Sequence, residues 1–191
     1  IFPSQLAKDN KKFIYGLIRE GARAKEYETA LLWLTDCGLV HQLRRVSKPN
    51  LPLKAYEDMK AFKLFVSDIG LLSCLTDLDT KTIVKGNDIF TEFKGSLTEQ
   101  FVLQQLKTLE NIPTYYWTNS NGNAEIDFVV QLKGNVVPVE AKASVNLNAK
   151  SLKVYRELFS PVCSVRTSMA DYKVQDGLLN LPLYAIEEVA D

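Results

Sequence analysis

The chain has 191 residues, with 23 basic and 23 acidic side chains, 46% hydrophobic and 24% charged. This profile excludes a disordered tail, a collagen-like repeat and a supercharged nucleic-acid coat, and its length suits one large domain or two small ones. Apolar runs such as Ile69-Gly70-Leu71-Leu72 fall far short of the ~18 residues a membrane span needs, so no membrane partner is expected. Residues Ile1 to Gln5 show no charged segment followed by an apolar core, so no signal peptide is expected. An isoleucine at position 1 suggests a piece of a longer protein.

Three widely spaced cysteines, Cys37, Cys74 and Cys163, support neither a disulfide framework nor a zinc knuckle, and they fit a reducing cytoplasm. The single histidine, His41, lies in a strand-like run. No G-x-S-x-G elbow accompanies it, which argues against a Ser-His-Asp hydrolase. The zero net charge hides an asymmetry: residues 1–60 hold 11 basic and 7 acidic side chains, and the remainder holds 12 and 16. A basic front half suits an anionic partner or simply a solvated surface.

In chain order, Ser4 is placed to cap a helix to about Glu20, with Leu6, Phe13, Ile14, Leu17 and Ile18 at helical spacing. A second helix is expected from about Arg23 to Cys37, with Gly38 as its C′ residue. Two extended runs follow, Leu39 to Val46 and Leu51 to Tyr56, around the turn-rich Ser47-Lys48-Pro49-Asn50. Helix, helix and two-stranded ribbon is the order of a winged-helix module. Arg44, Arg45 and Lys48 on the ribbon, with Arg23 and Lys25 at the start of the second helix, are candidate phosphate contacts. They equally suit a solvated face, or one packed on another domain. Phe62 to Ser67 reads as a short strand, Asp68 to Leu72 as the start of a short helix, and Leu75 to Glu92 as a connector. The organisation expected is a winged-helix-like segment over 1–74, a connector over 75–94 and a second domain over 95–191.

The informative stretch is Glu125 to Leu132, a Lys133-Gly134 turn, and Val136 to Ala143, two alternating runs that make a β-hairpin. A two-residue loop sets Asp127 opposite Glu140 and Glu125 opposite Lys142. One face then carries Ile126, Phe128, Val130, Leu132, Val137, Val139, Ala141 and Ala143, and the charged residues cluster on the other. Carboxylates about 4 Å apart repel by roughly 4 kcal/mol at an effective dielectric near 20. A divalent cation would convert that repulsion into binding, since Mg²⁺ takes hard oxygen ligands. Lys142 could offset the charge and hold a water; a surface charge ladder is the plainer reading. Ser96-Leu97-Thr98-Glu99 fits a capping box, yet Glu99 shares a helical face with Val102, Leu103 and Leu106 and so points towards the sheet.

Glu99 on a leading helix, Ile126-Asp127 on one strand and Glu140-Ala141-Lys142 on the next resemble the D…E-x-K signature of restriction-endonuclease-like PD-(D/E)xK nucleases, with Ile126 in place of the usual proline. More broadly, the chain resembles the C-terminal region of prokaryotic AAA+-type ATPases, in which a winged-helix segment precedes a nuclease-like domain of unassigned function. Phe62 to Leu72, Thr98 to Val102, and Tyr116-Trp117-Thr118 before Glu125 to Phe128 carry that resemblance. No G-x-x-x-x-G-K-[ST] loop is present, so no ATP site is expected in this chain.

The resemblance implies an α/β (α+β) fold with an α-β-β-β-α-β core. Its elements would be Gly95 to Leu109, Thr114 to Thr118, Glu125 to Leu132, Val136 to Ala143, Ala149 to Phe159 and Val162 to Thr167. It also implies Mg²⁺ or Mn²⁺ held by Asp127 and Glu140 with the Ala141 carbonyl, supported by Glu99, and a water oriented by Lys142. Nucleic acid, DNA rather than RNA, and an ATPase domain N-terminal in the same full-length protein are the partners implied. A non-catalytic nucleic-acid-binding, regulatory or docking module is the alternative. Trp117 reads as a core aromatic, and Lys150, Lys153 and Arg156 as water-facing.

Overall fold

Glycine and proline do much of the punctuation in this chain, and the first clear case is the end of α1 (Ala24–Asp36). Gly38, at φ +75°, donates to the Thr35 carbonyl, while the Leu39 amide reaches back to Leu34. This pairing is a Schellman motif, and it needs a residue tolerant of positive φ at the glycine. The computed structural model describes residues 13–21, 23–79, 91–145 and 148–190. The chain divides into two compact units that do not follow chain order. The first takes the described parts of 1–43 and 61–101, the second those of 44–60 and 102–191. Residues 80–90 of the connector expected over 75–94 lie outside the described residues.

In the first unit, Phe13, Leu31, Val40, Phe62 and Leu64 form a core. The helix expected to reach Glu20 is corrected over its described part: only a 3-10 turn, Tyr15–Leu17, is present. Residues 1–12 lie outside the described residues. The cause is local, because the Phe13 amide donates to the Phe62 carbonyl at 2.9 Å and the two rings stack at 5.7 Å. That strand-like anchor overrides the helical spacing. The short helix α2 (Ile69–Leu75) begins where expected, its Asp68 carboxylate accepting from the Leu71 amide at 2.9 Å. The next helix, α3, spans Thr91–Thr108 and starts earlier than Gly95. Ser96 and Glu99 are thus interior residues, and the capping-box reading is corrected. Gln100, 1% exposed, bonds both backbone groups of Val66, at 3.1 and 2.8 Å.

The second unit carries the sheet. Its strands are β1 (Val40–Val46, from Arg44 on), β2 (Glu57–Val66, up to Lys60), β3 (Thr114–Thr118), β4 (Glu125–Leu132), β5 (Asn135–Ala141), β6 (Ser164–Ser168), β7 (Lys173–Gln175) and β8 (Leu178–Pro182). Their order is β2-β1-β3-β4-β5-β6-β8-β7, a mixed eight-stranded sheet. The run expected as a strand over Leu51 to Tyr56 is instead a 3-10 turn, Leu53–Tyr56, that buries Leu53 fully. The strand begins only at Glu57 and absorbs the short strand expected at Phe62 to Ser67. The ribbon is not free-standing, since Arg45 and Val46 pair in parallel with Tyr116 and Trp117 of β3.

From α3 onwards the elements follow the expected order of helix, three strands, helix, strand, with α4 at Lys150–Phe159. The β4–β5 hairpin has the deduced register, with Phe128 opposite Val139 and Leu132 opposite Asn135. Lys133 and Gly134 both have positive φ, the turn geometry that matches strand twist. The β3–β4 ladder, however, shifts register between Tyr115↔Val129 and Trp117↔Ile126. Two residues of β3 thus span three of β4, which inserts one extra residue in the Asp127-Phe128 stretch. The strict alternation expected along β4 breaks there, and Ile126, Asp127 and Phe128 are all buried.

Candidate functional site

Pairing fixes strand direction: β1, β3, β5, β6 and β8 run the same way and β4 runs against them. The carboxyl ends of five strands therefore gather at one end of the sheet with the start of β4, the place where ligands bind in open α/β sheets. Asp127 and Glu140 lie at that end, 8% and 5% exposed. The Asp127 carboxylate accepts the Ala141 backbone N–H at 2.8 Å, which ties β4 to the residue after Glu140. The Lys142 ammonium donates to Glu140 at 2.6 Å, and the Lys142 amide donates to the Thr167 carbonyl at 2.9 Å. Such charge-assisted contacts are short and roughly twice as strong as neutral ones.

Two residues the sequence reading missed complete the cluster. Arg166 is opposite Glu140 in the β5–β6 register and buried, and Asn180 is opposite Arg166 on β8. The Asn180 side-chain oxygen accepts from Arg166 Nε at 3.0 Å and from the Ser168 hydroxyl at 2.9 Å. Its amide donates to the Ala170 and Asp171 carbonyls at 3.3 and 2.8 Å. Burial pulls the Arg166 guanidinium below its ordinary pKa, and Glu140 pushes it back up. No motif marks Arg166, but an arginine in a short strand-forming run was a usable signal, since such strands bury both faces.

The other expected site residues fall elsewhere. Glu99 belongs to the first unit, where its carboxylate faces the Lys63 ammonium at 3.5 Å. Arg23, at the N-cap of α1, and Lys25 in its first turn are exposed in that same unit. Arg44 pairs with Glu57 at 2.9 Å and Arg45 with Asp58 at 2.5 Å, so the charge expected to meet phosphate is partly answered within the ribbon. Lys48 is exposed.

Among the described residues, no group of three or more His, Cys, Asp and Glu side chains is arranged to hold a metal ion. What the second unit offers is two buried carboxylates on adjacent strands with the Ala141 backbone between them and Lys142. Mg²⁺ is commonly held by one or two carboxylates plus water and substrate phosphate, so this donor set fits it. The Thr167 hydroxyl, in register with Ala141, is buried and has no hydrogen-bond partner among the described residues. No helix among the described residues is long and apolar enough to cross a membrane.

Comparison with known families finds two matches. Residues 1–82 are similar to a domain of unknown function, DUF8612. No curated protein and no solved structure matches the chain. Residues 94–186, which include every residue of the acidic cluster, are similar to a second domain of unknown function, DUF4143, found in AAA-ATPase-associated proteins.

Proposed function

We propose that the chain is part of a cytoplasmic AAA+-type ATPase, with a winged-helix-like front and, in the second unit, a divalent-metal-dependent nuclease module of restriction-endonuclease-like core. The observation that carries this reading is two buried carboxylates, Asp127 and Glu140, near the same end of neighbouring strands, with the Lys142 ammonium 2.6 Å from Glu140. The helix, three-strand, helix, strand order from α3 to β6 supports it. Asp127, Glu140 and the Ala141 carbonyl would hold Mg²⁺ or Mn²⁺, which supplies Lewis-acid stabilisation of charge on a phosphodiester. Asp127 is aimed by the Ala141 N–H. Arg166, opposite Glu140 and steadied by Asn180, sets a positive charge beside that carboxylate. Lys142, at the rim, exchanges its hold on Glu140 for a water and orients it towards the phosphorus.

The test is cleavage of labelled single-stranded DNA, duplex DNA and RNA by the purified chain with Mg²⁺ or Mn²⁺. Glu140→Ala is expected to abolish cleavage. A thermal shift on metal addition, present in the native chain and lost in Glu140→Gln, checks the site independently of activity. Absence of cleavage and of any shift across metals overturns the reading.

One observation favours a second reading: Glu140 is already answered by Lys142 and faces Arg166, so the cluster is close to electrically complete. In that case the unit is a non-catalytic nucleic-acid-binding, regulatory or docking module of the ATPase. Nucleic-acid binding that survives chelation, with no metal-induced shift, identifies it.

A further inference from the structure

At the same end of the sheet, a groove of about 550 Å³ opens beside the carboxyl ends of β1 and β3 and the last turn of α4. Its two walls differ. One carries Arg45 and Lys48 with Asn50; the other carries Leu158 and Phe159, 59% and 39% exposed, and the floor is Thr118, Asn119 and Ser120. Among the described residues, no acidic side chain lines it.

We infer that this groove is a nucleotide-recognition subsite, taking one base against Phe159 and its phosphate against Lys48 and Arg45. The Phe159 ring is held in place by edge-to-face packing on Trp117 at 5.4 Å and by Tyr155 at 4.9 Å, so stacking on it orders little new. Aromatic platforms in a basic groove are how single strands are bound without reading their sequence. Lys48 has no ion-pair partner among the described residues. Arg45 gives one guanidinium nitrogen to Asp58 and another to the Thr118 hydroxyl, and its buried Nε has no partner among the described residues.

Polarity orients the ligand. The carbonyl end of α4 lies at the aromatic wall, where negative charge is disfavoured, so the phosphate belongs on the Lys48 side. The floor is preset: the Asn119 side-chain oxygen accepts from the Asn123 and Ala124 amides at 3.0 and 3.2 Å, and the Asn119 amide donates to the Ala124 carbonyl at 2.9 Å. The inference stands on these residues and does not use the acidic cluster.

The experiment is equilibrium binding of AMP and of a fluorescent ten-nucleotide oligothymidylate to the full chain, at low salt and in EDTA, so that cleavage plays no part. Lys48→Glu is expected to weaken binding at least tenfold. Phe159→Ala is expected to weaken it about fivefold or more, the range seen when a stacking aromatic is removed. Phe159→Leu, which keeps the packing on Trp117, separates loss of stacking from loss of fold, and Lys173→Glu on exposed β7 leaves binding unchanged. Oligonucleotide binding much tighter than AMP identifies a strand as the source, and equal affinity identifies a free nucleotide. Binding that ignores both Lys48→Glu and Phe159→Leu, or no saturable binding of either probe, overturns the inference. A chain that binds but never cleaves defeats the nuclease reading and leaves this one intact.

Discussion

Each unit contains a lysine–glutamate pair with one member buried, and these two are built in opposite senses. In Lys63–Glu99 the cation is the buried member, with its side chain 5% exposed against 21% for the acid. In Lys142–Glu140 the acid is buried at 6% and the cation sits at the rim at 29%. A buried ammonium facing a rim carboxylate serves packing, because nothing arriving from solvent can replace it. A buried carboxylate capped by a rim ammonium is a socket, since another cation can take the place of the lysine. The 3.5 and 2.6 Å separations fit the same contrast.

The largest expected effect breaks this contrast directly. Glu140→Ala should reduce metal-dependent cleavage by ~100-fold or more, the order seen when a group stabilising developing charge is lost, as single-turnover assays will show. Lys142→Ala should act similarly on cleavage yet cost only about 1 kcal/mol of stability in urea, because its charge is at the rim and Arg166 still faces Glu140. Glu99→Ala should do the reverse, costing roughly 3 kcal/mol by removing the carboxylate that faces the buried Lys63. Glu99→Gln with cleavage intact would remove Glu99 from any metal role.

Much of this contrast was legible in the residues. The Lys133-Gly134 turn and the flanking alternation fixed the hairpin register and so set Asp127 near Glu140 and Lys142, because a one-residue slip would have exposed a whole apolar face. The bulge at Asp127 was not legible, since it answers to the β3 strand laid beside β4 and leaves no local signature. Ser96-x-x-Glu99 imitated a helix start inside a longer helix, and Phe13 sat at helical spacing while stacking on a strand. In both cases tertiary contacts outweighed local pattern. Arg166 escaped notice because its partner, Glu140, comes from a distant strand.

Smaller effects sharpen the picture. Gln100→Ala should cost about 2 kcal/mol in chemical denaturation, leaving the buried Val66 amide and carbonyl without their clamp. Tyr155, buried against Trp117 and Phe159, has its phenol held above the ordinary pKa by desolvation. The folded state keeps that proton where the unfolded chain loses it, so stability should fall as pH rises past about 10. Tyr155→Phe should leave neutral-pH stability nearly unchanged and flatten the alkaline decline in thermal melts.

The route of the backbone bears on how this protein can be taken apart. Residues 44–60 belong with 102–191: they lend β3 its parallel neighbour through Arg45 and Val46, and they plug the core with Leu53. An expression clone limited to the family-matched stretch 94–186 would omit them, baring one side of β3 and opening a hole where Leu53 sits. Raw strand borders of that kind invite self-association, so such a clone should precipitate. Grafting 44–60 back, or keeping the whole polypeptide, is the practical route to soluble material.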